Sequence, residues 1–191
     1  MGMTSGAYRS DKREGKARRT RSAILNAARD LVSTNLIGPP SVGAVAARAG
    51  VSRLTVYSHF DSKQGLLDAL AAEARGESGR PDRVPDSGDP KQDLERILAE
   101  ACASWASDPA LFRRLPPIAL SPVGEASGHR RLAERLAAKD ELRAGCSIKE
   151  AEDVIVLLTS FPTFDRLHQE GRRSAGAVAG ILMRLAAAIL A

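Results

Sequence analysis

The stretch Ser41 to Lys63, SVGAVAARAGVSRLTVYSHFDSK, restricts what this chain can fold into more than any other segment. Ser41 is placed to cap a short helix whose apolar positions, Val42, Val45 and Ala46, recur at the i, i+3, i+4 spacing of a buried stripe. Gly50 supplies the left-handed conformation that ends a helix, and Ser52 can cap a second one from Arg53 to Ser58. Two helices joined by a short turn containing Gly predict a helix-turn-helix, whose second helix enters the major groove of DNA. The competing reading is a helical hairpin inside a core, with Tyr57 and Phe60 as packing residues.

The side chains of the second helix suit base and phosphate recognition. The planar fork of Arg53 matches guanine O6 and N7, and Leu54 could touch a thymine methyl. Thr55 could bond to a base edge or a phosphate, and the Tyr57 hydroxyl could reach the backbone one turn later. Lys63 stands in the first turn of a following helix that Asp61 or Ser62 would cap. A cation there costs roughly 0.3–1 kcal/mol against the helix dipole, and a bound phosphate would reverse the sign.

Taken together, residues 20–70 resemble the DNA-binding domain of the tetracycline-repressor-like (TetR) family of transcriptional regulators. The resemblance is carried by VAARAGVS from Val45 to Ser52, by Tyr57-Ser58-His59-Phe60, and by Ser62-Lys63 followed by Leu66-Leu67. It implies an all-α homodimer on a palindromic double-stranded operator, with a three-helix DNA-binding head and a helical body for effector sensing and dimerisation. It further implies that the fourth helix carries the effector's signal to the head. The expected DNA-binding set is Arg18, Arg19, Ser41, Ser52, Arg53, Leu54, Thr55, Tyr57, His59 and Lys63. Departures from the family pattern are Leu36 where Gly is frequent, Pro40 where Thr or Ser is common, and Gly43 where a long polar side chain often meets the DNA backbone.

Charge is divided as a DNA-binding head on a neutral body requires. Residues 1–75 hold 12 Lys and Arg against 6 Asp and Glu, whereas residues 76–191 hold 16 against 17. Arg9, Lys12, Arg13, Lys16, Arg18, Arg19 and Arg21 form a basic run. Residues 1–16 of it are expected as a disordered arm along phosphates or in the minor groove, or else as a solvated tail. The N-terminus lacks the apolar run of a signal peptide. The apolar segment 175–191 is interrupted by Arg184 and short for a membrane span, so a soluble cytoplasmic protein without membrane contact is expected. Two cysteines make no disulfide framework, and His59, His129 and His168 have no metal-ligand spacing; no cofactor is expected.

The head is expected to span residues 17–75, with a first helix from Ala17 to Thr34 and a fourth from Ser62 to about Arg75. Residues 76–90, with three Pro and three Gly, read as a linker or mobile loop. In the body, 91–191, Asp89-Pro90 and Asp108-Pro109 open helices, residues 116–128 are irregular, and 129–143 form another helix. Ser147 to Glu150 is a capping box that starts a long helix kinked at Pro162, and a last helix runs from Ser174 to Leu190. Val154, Leu158, Val178, Ile181, Leu182, Leu185 and Ile189 are expected at the dimer interface, the alternative being the monomer's core. An unidentified small-molecule effector is expected against Cys102, Trp105, Phe112, His129, Phe161, Phe164 and His168, with Arg166 as a further polar anchor. Core packing is the alternative for each of the aromatics. Two other functions fit less of the chain: a sequence-indifferent architectural DNA binder, and a helical enzyme, for which no nucleophile–base pair is evident.

Overall fold

Local capping decides where most of the helices begin and end. The computed structural model describes residues 5–34, 38–76, 86–120 and 125–190, with the side chains of residues 5–11, 118, 125–127 and 189 excepted. The described residues are helical throughout, without a strand. They divide into two compact units, Met1–Leu70 and Ala71–Ala191, so the boundary falls within the fourth helix rather than after it.

The head contains α1 (Ser5–Thr34), α2 (Val42–Ala49), α3 (Arg53–Phe60) and most of α4 (Lys63–Ala74). Its core is Ile24 and Ala28 of α1, Val45 and Ala46 of α2, Val56 and Phe60 of α3, and Leu66 and Leu70 of α4, all buried. The expected disordered arm is corrected here: α1 begins at Ser5, and residues 5–16 are its first turns. The segment SDKREGKARRTR contains no Pro, and half of it is Lys or Arg, which lose little on entering a helix. Leu36, which stands where the family frequently has Gly, lies outside the described residues.

In the body, α5 (Pro90–Ser107) packs on α10 (Ala175–Leu190), and α7 (Glu125–Ala138) packs on α8 (Ile148–Thr159). Asp89 caps α5 by accepting from the amides of Lys91 (3.0 Å) and Gln92 (3.2 Å), with Pro90 in the first turn. Asp108 caps the short α6 (Pro109–Phe112) through Leu111 N at 3.1 Å, and Ser147 caps α8 through Glu150 N at 3.1 Å. The interval expected to be irregular contains a 3-10 turn, Pro117–Leu120, and α7 starts and ends earlier than expected, at Glu125 and Ala138.

Pro162 does more than kink its helix. The chain leaves α8 at Ser160, which is extended (φ −75°, ψ 146°), and restarts as α9 (Phe161–Asp165) with Pro162 in its first turn. Proline has no amide hydrogen to continue the α8 ladder, and its ring is well tolerated only at a helix start. The exposed Leu157 carbonyl is satisfied by the hydroxyls of Ser160 and Thr163, each at 2.8 Å. A π-helical turn, Arg166–Glu170, follows α9.

Part of the expected linker is anchored. Residues 77–85 lie outside the described residues, but the stretch from Asp86 to Asp89 is tied to the body through Asp93. This carboxylate is fully buried and accepts from Ser87 N (3.3 and 3.2 Å), Arg96 (2.7 Å) and Arg135 (2.7 Å), while Arg135 also meets Asp86 at 2.9 Å. Burial pushes the Asp93 carboxyl up, but the bonds from Arg135, Ser87 and Arg96 outweigh it and hold it below the ordinary carboxylate value. A depressed folded-state pKa means stability that is present above the unfolded value and lost as pH falls through the folded one. Asp93→Asn should therefore cost about 2–3 kcal/mol at pH 7, less than a fully buried pair because both arginines keep some water. Urea unfolding should show the gap from the parent protein narrowing below about pH 4; a gap unchanged at pH 3 would contradict a charge role for Asp93.

Candidate nucleic-acid interface

The second helix of the helix-turn-helix is held from both ends. The Ser41 hydroxyl accepts from Ala44 N at 3.1 Å and fixes the start of α2. Gly50 is left-handed (φ 68°, ψ 31°), with Gly50 N donating to Ala47 O (3.3 Å) and Val51 N to Ala46 O (3.0 Å), the paired bonds of a Schellman stop. Two residues later the Ser52 hydroxyl accepts from Thr55 N at 3.0 Å and shares a 2.9 Å bond with the Thr55 hydroxyl, so both hydroxyls serve the start of α3.

At the far end of α3 the chain reverses through Asp61, a non-glycine residue at φ 60°. Asp61 N donates to Tyr57 O at 2.8 Å, Ser62 N to Phe60 O at 2.6 Å, and the Ser62 hydroxyl accepts from Gly65 N at 2.9 Å. Ser62, not Asp61, is thus the cap of α4. Arg21 of α1 adds a clamp: its guanidinium donates to His59 O at 2.8 Å and lies 4.3 Å from the centre of the Phe60 ring. The cation at the negative end of α3 and its contact with an aromatic face are both favourable. Arg21, read in the sequence as part of a phosphate-binding run, is instead used to hold the recognition helix.

With Val56 and Phe60 facing the core, α3 turns Arg53, Leu54, Tyr57 and Ser58 outward. Leu54 is 78% exposed and Tyr57 44% exposed, although both are large apolar groups. Arg18 and Arg19 are exposed on α1, and His59 is half-buried with its ring centre 6.2 Å from that of Phe60. Lys63 reaches back to Pro39 O at 3.5 Å, so its ammonium lies beside the residues leading into α2. The arrangement presents donors and one apolar side chain on a helix too well anchored to rotate them away.

In the body, five of the residues expected around an effector pack on one another. The ring centres of Trp105 and Phe112 are 4.8 Å apart at 88°, those of Trp105 and Phe161 5.4 Å, and those of Phe161 and Phe164 6.5 Å. His168 stacks on Phe164 at 4.9 Å and bonds to Arg173 O at 2.6 Å. Cys102 is buried one turn before Trp105, and burial pushes its thiol up to about 11, so it is unreactive at neutral pH. His129 is buried beside Glu152, with Nδ1 unbonded among the described residues; burial holds its imidazole below the ordinary histidine value against the pull of Glu152. Arg166 lies on the surface near Glu170 at 3.5 Å. An open cleft of about 140 Å³ is lined instead by Leu94, Leu136, Met183 and Leu190, with Lys91 and Glu141, and none of the expected pocket residues borders it.

The expected dimer stripe is corrected in register. Leu158, Val178 and Leu182 are buried within the single chain at 4%, 0% and 0% exposure, so they form its core. Val154 and Ile181 are half-buried, Leu185 is outward, and the Ile189 side chain lies outside the described residues. The outward apolar groups of α8 are Ile148, Val156 and Leu157, none of them in the expected interface set. Among the described residues no helix is long and apolar enough to cross a membrane, and no group of His, Cys, Asp or Glu could hold a metal ion.

Residues 24–70 match the family described as bacterial regulatory proteins, tetR family. The chain is 38% identical over 60 residues to the HTH-type transcriptional regulator UidR of Escherichia coli (strain K12), 31% of either protein. It is 41% identical over 51 residues to the HTH-type transcriptional regulator AlkX of Mycobacterium tuberculosis, 27% of this chain and 24% of that one. The matched stretch thus spans less than a third of these curated relatives. The crystal structure of native NalD, the secondary repressor of the MexAB-OprM multidrug efflux pump in Pseudomonas aeruginosa, superposes with a TM-score of 0.64. That likeness covers 92% of this chain and 97% of that one at 22% identity, and it shows the fold of both head and body. The capped helix-turn-helix lies within the stretch that matches the tetR family of bacterial regulatory proteins, and the all-helical fold of head and body is like that of NalD.

Proposed function

We propose that this chain is a sequence-specific DNA-binding transcriptional regulator that acts as a homodimer, most simply as a repressor released from a palindromic operator by an effector bound in the body. The observation that carries this reading is the exposure of Leu54 and Tyr57 on α3. A short helix fixed by a cap, a Schellman stop and the Arg21 clamp has no folding reason to hold these groups in water. A major groove supplies thymine methyls for the one and phosphate oxygens for the other.

Dimerisation is supported by Val156 and Leu157 of α8, 42% and 60% exposed, and Leu185 of α10, 42% exposed, on two helices that pack together. A second copy would cover them and supply the two-fold symmetry of a palindrome. Effector control then requires a ligand that binds the non-operator arrangement better than the operator-bound one, since equal affinity for both moves nothing.

Selection of genomic fragments by the purified protein tests both halves of the reading. The expected result is an inverted repeat with half-sites about one helical turn, or a multiple of it, apart. Its affinity should exceed that for random duplex by about 10³-fold or more. Fragments recovered without a common motif would replace a regulator with a sequence-indifferent DNA binder.

A further inference from the structure

Gly43 stands in the first turn of α2, and the atoms nearest the position of its missing side chain belong to Arg53 of α3. A Cβ at residue 43 would lie 2.8 Å from a terminal guanidinium nitrogen of Arg53, 2.9 Å from Nε and 3.1 Å from Cζ. These separations are well inside the 3.5–4.0 Å optimum of non-bonded heavy atoms, so the guanidinium occupies the volume that any side chain at 43 would need. Among the described residues Arg53 makes no hydrogen bond or ion pair, so its guanidinium is there because the missing side chain at 43 leaves room for it. Its donors remain unused, and its guanidinium lies beside Gly43 of α2 while the residue stays exposed.

We propose that Gly43 is a specificity-determining residue: by leaving this volume empty it lets Arg53 lie back toward α2, where its guanidinium serves DNA phosphates rather than a guanine edge. This rests on the DNA-binding reading above and revises the base-reading role expected of Arg53. Five donors on a cation that cannot lose its charge suit a phosphate as well as a guanine, and position alone decides between them. A side chain at 43 would expel the guanidinium, and because Arg53 is held by no bond the expulsion leaves the fold intact.

The test compares the parent protein with Arg53→Ala, Gly43→Ala and the double variant, in selections from randomised duplex and in salt titrations, with helicity and Tm recorded for each. Arg53→Ala should weaken binding to the selected site and to scrambled duplex by the same factor, and lower the salt slope by about 1. Gly43→Ala should have a Tm no lower than the parent's and gain a guanine preference of about five- to 150-fold at one base pair of each half-site, the range of a bidentate arginine contact. The double variant should lose that preference. Relaxed selectivity at one base pair in Arg53→Ala, with an unchanged salt slope, overturns the proposal, as does a Gly43→Ala selection identical to the parent's. The salt slope is readable on any duplex, so a parent that selects no motif defeats the regulator reading while still deciding the role of Arg53.

Discussion

Trp105→Ala should lower the stability of the body by about 3–5 kcal/mol, the cost of removing a large aromatic from a site that cannot collapse. The indole is 4% exposed, meets Phe112 edge-on at 4.8 Å and Phe161 at 5.4 Å, and is approached by the Arg75 guanidinium at 5.6 Å. It also donates Nε1–H to Thr159 O at 3.0 Å. Thr159 is the last residue of α8 before the break at Ser160, where a helix carbonyl has no partner from its own ladder. The residue therefore fills the core and closes a helix end together. Trp105→Phe separates these roles, because it keeps most of the apolar area and drops the donor; about 1–3 kcal/mol should be lost. Urea unfolding followed by circular dichroism measures both. A cost under about 1 kcal/mol for Trp105→Ala would mean that the aromatic cluster is loosely filled, as a ligand cavity would be, and not the packed core seen here.

Gly65→Ala is the second large effect, and its sign opposes helix propensity. Gly65 lies in the first turn of α4, where alanine would ordinarily gain about 1 kcal/mol over glycine. A Cβ there, however, falls inside the contact distance of the Phe60 carbonyl oxygen. That oxygen cannot swing aside, because it accepts from Ser62 N at 2.6 Å within the reversal through Asp61. Ser62 and Gly65 are themselves joined by the cap bond, so the turn has no slack. Displacing backbone costs more than repacking a flexible side chain, and a net loss of about 3 kcal/mol is expected. Specific DNA binding should fall with it, because the same turn sets the end of α3. Thermal unfolding and operator affinity measured on one preparation should drop together; an alanine variant as stable as the parent would show that the approach of α4 to Phe60 is not what holds the recognition helix.

The two glycines contrast usefully. At Gly43 the obstruction is the end of a long side chain, so substitution redirects chemistry at little cost to folding. At Gly65 it is a carbonyl in a hydrogen-bonded turn, so substitution costs the fold. Spacing in the sequence distinguishes neither from a glycine merely tolerated in a helix.

What the amino-acid sequence determined unaided was everything decided within three or four residues. Ser41, Gly50, Ser52, Asp89, Asp108 and Ser147 could be read as helix boundaries because a cap is a bond between a side chain and a backbone group of the same short segment. The basic head and the helix-turn-helix were legible for the same reason: charge and apolar period are local properties. Tertiary structure alone decided which apolar stripe faces which neighbour. Periodicity found an apolar face on α8 and on α10, but only packing shows that Leu158, Val178 and Leu182 are already covered by their own chain while Leu157 is not. Arg21, Arg53 and Asp93 make the point for charge. A basic or acidic side chain looks solvated in sequence, and whether it clamps a helix end, fills the space left by a glycine or ties down a loop depends on atoms 10 to 42 residues away. Those contacts carry no local signature, since only folding brings their two ends within bonding distance.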